Sequence, residues 1–280
     1  MFTTLVDVTT LAAHVHDPDW LIVDCRFDLT NTSAGEQAFN AGHVPGAVYA
    51  HLDRDLAAPI TAKTGRHPLP DPSEFATTLS RWGVTKDTQV IAYDADNGLY
   101  AARLWWMLRW VGHESVAVLD GGFKAWTAAG QPTSSASAQR SSTTFMARPD
   151  RSMWVDAPEV ARAAQDPSSR VLDARAPERY QGRVEPIDTV AGHVPGAVNH
   201  PFANSLAGDA RFLSPEELRA RFDASQASAP SDRTIAMCGS GVTACHLLLA
   251  MEIAGKRGAK LYPGSWSEWI RDPAHAVARG

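Results

Sequence analysis

Cysteine is scarce in this chain: Cys25, Cys238 and Cys245 are the only three in 280 residues. An odd number without paired spacing argues against a disulfide framework and fits a reducing compartment, with the cytoplasm the expected location. The four clustered ligands of a structural zinc site are missing too, so no metal is expected, and nothing points to a cofactor. Long apolar runs are absent: "HLLLAMEIAG" at 246–255 falls far short of the ~20 residues that span a bilayer. The opening "MFTTLVDVTTLAAHVHDPDW" has neither a basic start nor a long apolar stretch, and does not read as a signal peptide. No basic run stands out and the net charge of −5 is mild. Nucleic acid and membrane are therefore not expected as partners.

What is present is ordinary in bulk, 44% hydrophobic and 20% charged, and repetitive in detail. The length suggests two domains at roughly 100–200 residues each. "AGHVPGAV" occurs at 41–48 and again at 191–198. In the same order, "LIVDCR" at 21–26 matches "RVLDAR" at 170–175, "VIAYD" at 90–94 matches "TIAMC" at 234–238, and "GGFKAW" at 121–126 matches "GSWSEW" at 264–269. The chain reads as two copies of one domain, 1–130 and 151–280, joined by a polar, serine-rich linker at 131–150.

Within each copy, short β-branched runs alternate with helical patterns. Strands are expected at 21–25, 90–94, 116–120, 170–174, 234–238 and 259–263, and helices at 99–111 and 243–254. In the last helix Ala244, Leu247, Leu248 and Met251 define one buried face. This alternation predicts an α/β fold, each domain a mostly parallel sheet flanked by helices, with ligands beyond the carboxyl ends of the strands.

The duplication is an internal control. Asp24 with Arg26, Asp173 with Arg175, and His43 and His193 occur in both copies and read as scaffold. Trp105 and Trp106 read as packing residues. Cys238 behaves differently, because its counterpart is Asp94. It ends an apolar strand and is followed by Gly239, Ser240, Gly241, Val242 and Thr243. Two glycines let the chain turn sharply so that amides face inward, and the helix that follows adds its positive end. A thiolate in that cradle would be stabilised, with Ser240 and Thr243 adding hydroxyls. A buried cysteine in a glycine turn is the plainer alternative, and it suits Cys25 and Cys245. A phosphatase would need a guanidinium six positions after the cysteine, where Ala244 stands, so phosphate-monoester hydrolysis is disfavoured. His246 is near in sequence, but a helix would carry it away from the loop.

Tandem domains with "GHVPGA" in each, a cysteine in the second alone, and "CGSGVTA" after its strand resemble the two-domain rhodanese-type sulfurtransferases over essentially the whole chain. The Gly239–Ser240 pair is similar to the 3-mercaptopyruvate-specific type, where thiosulfate enzymes usually carry basic residues. The resemblance implies that Cys238 takes sulfur from 3-mercaptopyruvate as a persulfide and passes it to a thiol or cyanide. Thiosulfate as donor, or a persulfide carrier with little turnover, are the alternatives. It further implies that Arg179 faces the donor carboxylate and that Gly239, Gly241, Val242 and Thr243 line the donor site. Asp53 and His67 would join Ser240 in proton handling, lent by the first domain across a cleft, and thioredoxin is a plausible acceptor. A second substrate arginine, usual before the second "GH" motif, is missing from "GRVEPIDTVAGH"; Arg183 is the one basic residue there.

Overall fold

The computed structural model describes residues 1–138 and 140–280, so Gln139, inside the expected linker, lies outside the described residues. The chain forms two compact units, each built from non-contiguous segments. The first comprises Met1–Ala58, Pro70–Asp150 and Ala207–Phe212; the second comprises Pro59–Leu69, Arg151–Leu206 and Leu213–Gly280.

In the first unit the strands are β1 (Leu5–Val6), β2 (Trp20–Asp24), β3 (Val48–Tyr49), β4 (Gln89–Tyr93) and β5 (Val116–Leu119). They pair in the order β1-β5-β4-β2-β3, all parallel. The helices are α1 (Val8–His14), α2 (Ala34–Ala41), α3 (Leu52–Asp55), α4 (Pro72–Arg81), α5 (Ala101–Trp110) and α6 (Gly122–Ala128). Local chemistry sets their starts. Asp7 accepts the Thr10 N–H ahead of α1, and Asp71 accepts the Ser73 N–H ahead of α4, where Pro72 presets the first turn. α5 is buried nearly all round, and it carries Trp105 and Trp106 into the interior as packing residues. Residues 131–138 and 140–150 run along this unit: Ser134 bridges to His43, and Arg148 N–H donates to Val111 O at 2.9 Å.

The second unit contains β6 (Arg170–Asp173), β7 (Val198–Asn199), β8 (Thr234–Met237) and β9 (Lys260–Leu261), paired β7-β6-β8-β9 and again all parallel. Its helices are α7 (Ala157–Ala163), α8 (Pro177–Tyr180), α9 (Pro215–Gln226), α10 (Thr243–Ile253) and α11 (Ser265–Trp269). Full capping boxes start α7, with Asp156 and Glu159, and α9, with Ser214 and Glu217. The single buried face expected for α10 is corrected: every residue from Ala244 to Met251 is buried. A helix apolar on all sides is one the fold surrounds.

The shared motifs are the frame of each unit. Arg26 and Arg175 grip Asp24 and Asp173, with closest contacts of 2.6 Å in both, and each donates from Nη2 to the glycine carbonyl of its "GHVPGA" turn, Gly42 or Gly192. His43 and His193 stack on Phe39 and Tyr180 at 3.9 and 3.8 Å between ring centroids. Trp126 and Trp269, both buried, hold equivalent places in the two cores; truncating either to Ala would cost about 3–5 kcal/mol.

Candidate active site

Cys238 is the first residue beyond β8, between β6 and β9 in the sheet, where a parallel sheet presents its loops. Gly241 adopts φ +80°, and a Cβ there would lie 2.4 Å from the Pro263 carbonyl. Only glycine fits. This turn aims the Gly241 N–H at Cys238 Sγ, 3.1 Å away, and leads into the first residue of α10, Thr243. The sulfur is thus buried beside an inward amide at the positive end of an eleven-residue helix. Val242 is buried at the helix N-cap and Thr243 is half-buried. Cys245, one turn in, points back to Gly241 O at 3.2 Å. His246 is buried edge-on to Phe202.

The turn before α11 forms a second wall. Cys238 N–H donates to Ser265 Oγ at 3.0 Å, and Ser265 O–H donates to Tyr262 O at 2.8 Å. The amides of Trp266 and Ser267 then cap the carbonyls of Cys238 and Gly239 at 3.0 and 2.9 Å. Ser265 sits at φ +52°, a left-handed conformation costly for a residue with a Cβ.

The third wall is the segment Pro59–Leu69, which belongs to the second unit. A Cβ on Gly65 would lie 2.5 Å from Gly264 O, and Arg66 N–H donates to Ser267 Oγ at 3.0 Å. So seated, His67 is buried with Nδ1 2.7 Å from Ser240 Oγ. Asp53 lies in the first unit, in α3, where its N–H donates to His51 Nδ1 at 3.1 Å.

Charge comes from side chains outside the loop. A Cβ at Gly239 would lie 2.9 Å from Arg66 Nη2 and 3.6 Å from both terminal nitrogens of Arg179. Arg179 binds Glu185 at 2.7 Å and Asp188 at 3.1 Å, while Arg66 Nη1 also pairs with Asp188. Arg175 Nη1 is 3.5 Å from Glu185. Burial works against the charged form of Arg175, but Asp173, Glu185 and Cys238 outweigh it and raise its pKa. Burial likewise pushes the Asp188 carboxyl up against the pull of Arg66, whereas Arg179 and two amides hold Glu185 below its ordinary value despite burial. Arg183 is exposed, its N–H spent on Glu178 O.

The first unit supplies a control for the cradle. At the equivalent strand end the Asp94 carboxylate is buried and accepts N–H groups from Gly98, Tyr100 and Ala101 at 2.9, 2.8 and 3.2 Å. Phe123 and Lys124 cap this loop as Trp266 and Ser267 cap the other. The equivalent turn therefore aims its amides at a carboxyl group in one unit and at a sulfur in the other, although burial pushes the Asp94 carboxyl up against the pull of those amides.

Sequence reasoning missed Arg66, Glu185, Asp188 and Ser265. For Ser265 a signal existed: it aligns with Gly122, which has φ +56°, so a serine replaces a glycine at a left-handed position. For Arg66 the signal was adjacency to His67.

The rhodanese-like domain model matches residues 7–129 and 156–272. The chain belongs to the rhodanese-like family. A Pseudomonas aeruginosa member named "Probable 3-mercaptopyruvate sulfurtransferase" is 47% identical over 278 residues, 99% of this chain and 98% of that one. A Bos taurus thiosulfate sulfurtransferase is 35% identical, with 96% and 93% covered. The crystal structure of a 3-mercaptopyruvate sulfotransferase from Escherichia coli superposes with TM-score 0.82 at 32% identity, covering 95% of this chain and all of that one. The rhodanese-like fold thus extends over both units, each a parallel sheet flanked by helices. Among the described residues no helix is long and apolar enough to cross a membrane, and no group of three His, Cys, Asp or Glu could hold a metal ion.

Proposed function

We propose that this sulfurtransferase moves sulfur from 3-mercaptopyruvate to a thiol through a persulfide on Cys238. The observation that carries the reading is the Gly241 N–H on Cys238 Sγ at 3.1 Å, at the head of α10. A negative sulfur is stabilised there before and after loading, which the two half-reactions require.

In the first half-reaction the Cys238 thiolate attacks the donor sulfur. An S–S bond forms, the donor C–S bond breaks, and the leaving pyruvate enolate takes a proton to become pyruvate. The Ser240–His67 pair is within reach of the loop to relay that proton, with Asp53 assigned to the same task on the family resemblance. In the second half-reaction an acceptor thiolate attacks the outer sulfur and returns Cys238 to its starting state. A small dithiol protein of the thioredoxin type in a reducing cytoplasm fits this acceptor chemistry. Arg179 faces the donor carboxylate, and Gly239, Gly241, Val242 and Thr243 form the floor.

The donor assignment rests on the basic-free loop and the 47% identical relative named for mercaptopyruvate. Thiosulfate is the second reading, favoured by the relative named for it and by the guanidinium groups that crowd Gly239. Steady-state kinetics with both donors decide between them. A higher kcat/KM for mercaptopyruvate supports the assignment; a higher value for thiosulfate overturns it while leaving sulfur transfer intact.

A further inference from the structure

The guanidinium of Arg66 has one edge engaged and one edge open. Nη1 is committed to Asp188. Nε is buried with no hydrogen-bond partner, and Nη2 reaches to within 2.9 Å of the point where a Gly239 Cβ would be. A buried N–H without an acceptor costs stability unless something fills the place. Nε and Nη2 lie on the same side of the planar group and form a fork that matches the two oxygens of a carboxylate.

The surroundings favour the same class of ligand. Both terminal nitrogens of Arg179 converge on the same point above Gly239, 3.6 Å away. Asp188 already sits as a carboxylate between Arg66 and Arg179, so two guanidinium groups are held together without mutual repulsion. Together with Glu185 on Arg179, it also cancels much of their positive charge. With two carboxylates against two guanidinium groups the local net charge is near zero, so recognition falls to the open N–H fork, which fits one carboxylate, rather than to an excess of positive charge that would draw a dianion.

We propose that Arg66 is the second guanidinium for the donor's carboxylate, its Nε–Nη2 edge receiving that group above Gly239 beside Arg179, with Asp188 holding Nη1 in place. This deepens the mercaptopyruvate reading and rests on it. It explains how the chain manages without an arginine before its second "GH" motif: the cation comes from residue 66, next to the histidine that meets Ser240. Gly239 is then glycine because a methyl group would occupy the ligand's position.

The test compares 3-mercaptopyruvate with 1-mercaptopropan-2-one, which keeps the thiol and carbonyl but lacks the carboxylate. In Arg66→Ala, kcat/KM for the acid should fall about tenfold more than for the ketone, through KM. Pyruvate should inhibit about tenfold more weakly. Arg66→Lys, which keeps the charge without the fork, should recover part of the loss. Gly239→Ala keeps the Arg66 side chain but sets a methyl group 2.9 Å from its Nη2, displacing the fork, and should shift the same ratio in the same direction, which guards against a folding defect in the arginine variants. An unchanged acid-to-ketone ratio with unchanged pyruvate inhibition in both Arg66→Ala and Gly239→Ala would overturn the proposal. A wild-type preference for thiosulfate would overturn the donor reading instead, and the pyruvate series separates the two failures.

Discussion

His67 Nδ1 lies 2.7 Å from Ser240 Oγ although 173 positions separate the two residues. Both are buried and both belong to the second unit, because the stretch from Pro59 to Leu69 folds there. The proposed proton relay runs through this pair. Replacing either His67 or Ser240 by Ala should lower kcat on mercaptopyruvate about 100-fold. The double replacement should cost little more than either alone, since a relay fails when one member is gone. Additive losses in single-turnover rates would show that the two side chains act separately.

Ser265 carries a left-handed backbone that its counterpart Gly122 adopts without strain. Its hydroxyl accepts the Cys238 N–H at 3.0 Å. Ser265→Gly should relieve about 1 kcal/mol of strain but lose two hydrogen bonds, from Cys238 N–H and to Tyr262 O, worth about 1 kcal/mol each, so Tm should fall only slightly. Turnover should nevertheless fall about tenfold, mostly in kcat, because the cysteine amide loses its anchor. A variant with full kcat would assign Ser265 to scaffold alone.

Asp94 tests the cradle where no sulfur chemistry is involved. Its carboxylate, held by the amides of Gly98, Tyr100 and Ala101, is the native occupant of the first unit's loop. Asp94→Asn removes the charge and sets an NH₂ against donors. Urea unfolding should show a loss of about 2 kcal/mol, while sulfur loading of Cys238 in the folded fraction stays unchanged. Retained stability would mean that the turn does not favour anions.

A pH effect should come from His200. Buried against Phe222, with Nδ1 2.6 Å from Ser225 Oγ, it has its pKa lowered from 6.5 to about 4 by burial and by Arg221. The folded state therefore favours neutral imidazole. Its contribution is fully present above pH 6.5 and is lost as the pH falls towards 4. At pH 5 the loss is about 2 kcal/mol. Unfolding free energies at pH 7 and pH 5 should differ by about that much more in the wild type than in His200→Gln. Equal pH dependence in both would contradict the assignment.

Much of this architecture was legible because duplication wrote it twice. The central strands, the "GHVPGA" turns and the Asp–Arg pairs could be read from matching segments, and the mismatch of Cys238 with Asp94 singled out the sulfur. Three short strands, β1, β3 and β7, escaped, since two residues are too few to set a period. The acidic and basic frame escaped for another reason. Arg66, Arg179, Glu185 and Asp188 meet through the tertiary path of the 59–69 segment, and no spacing along the chain encodes that path. Arg183, the basic residue nearest the expected place in sequence, points to solvent for the same reason.

The most direct measurement is intact and peptide mass after incubation of the reduced protein with 3-mercaptopyruvate and removal of the donor. The account predicts a gain of one sulfur, about 32 Da, on the peptide bearing Cys238, discharged by a thiol and absent in Cys238→Ser. A protein of unchanged mass, or a gain carried by Cys25 or Cys245, would contradict it.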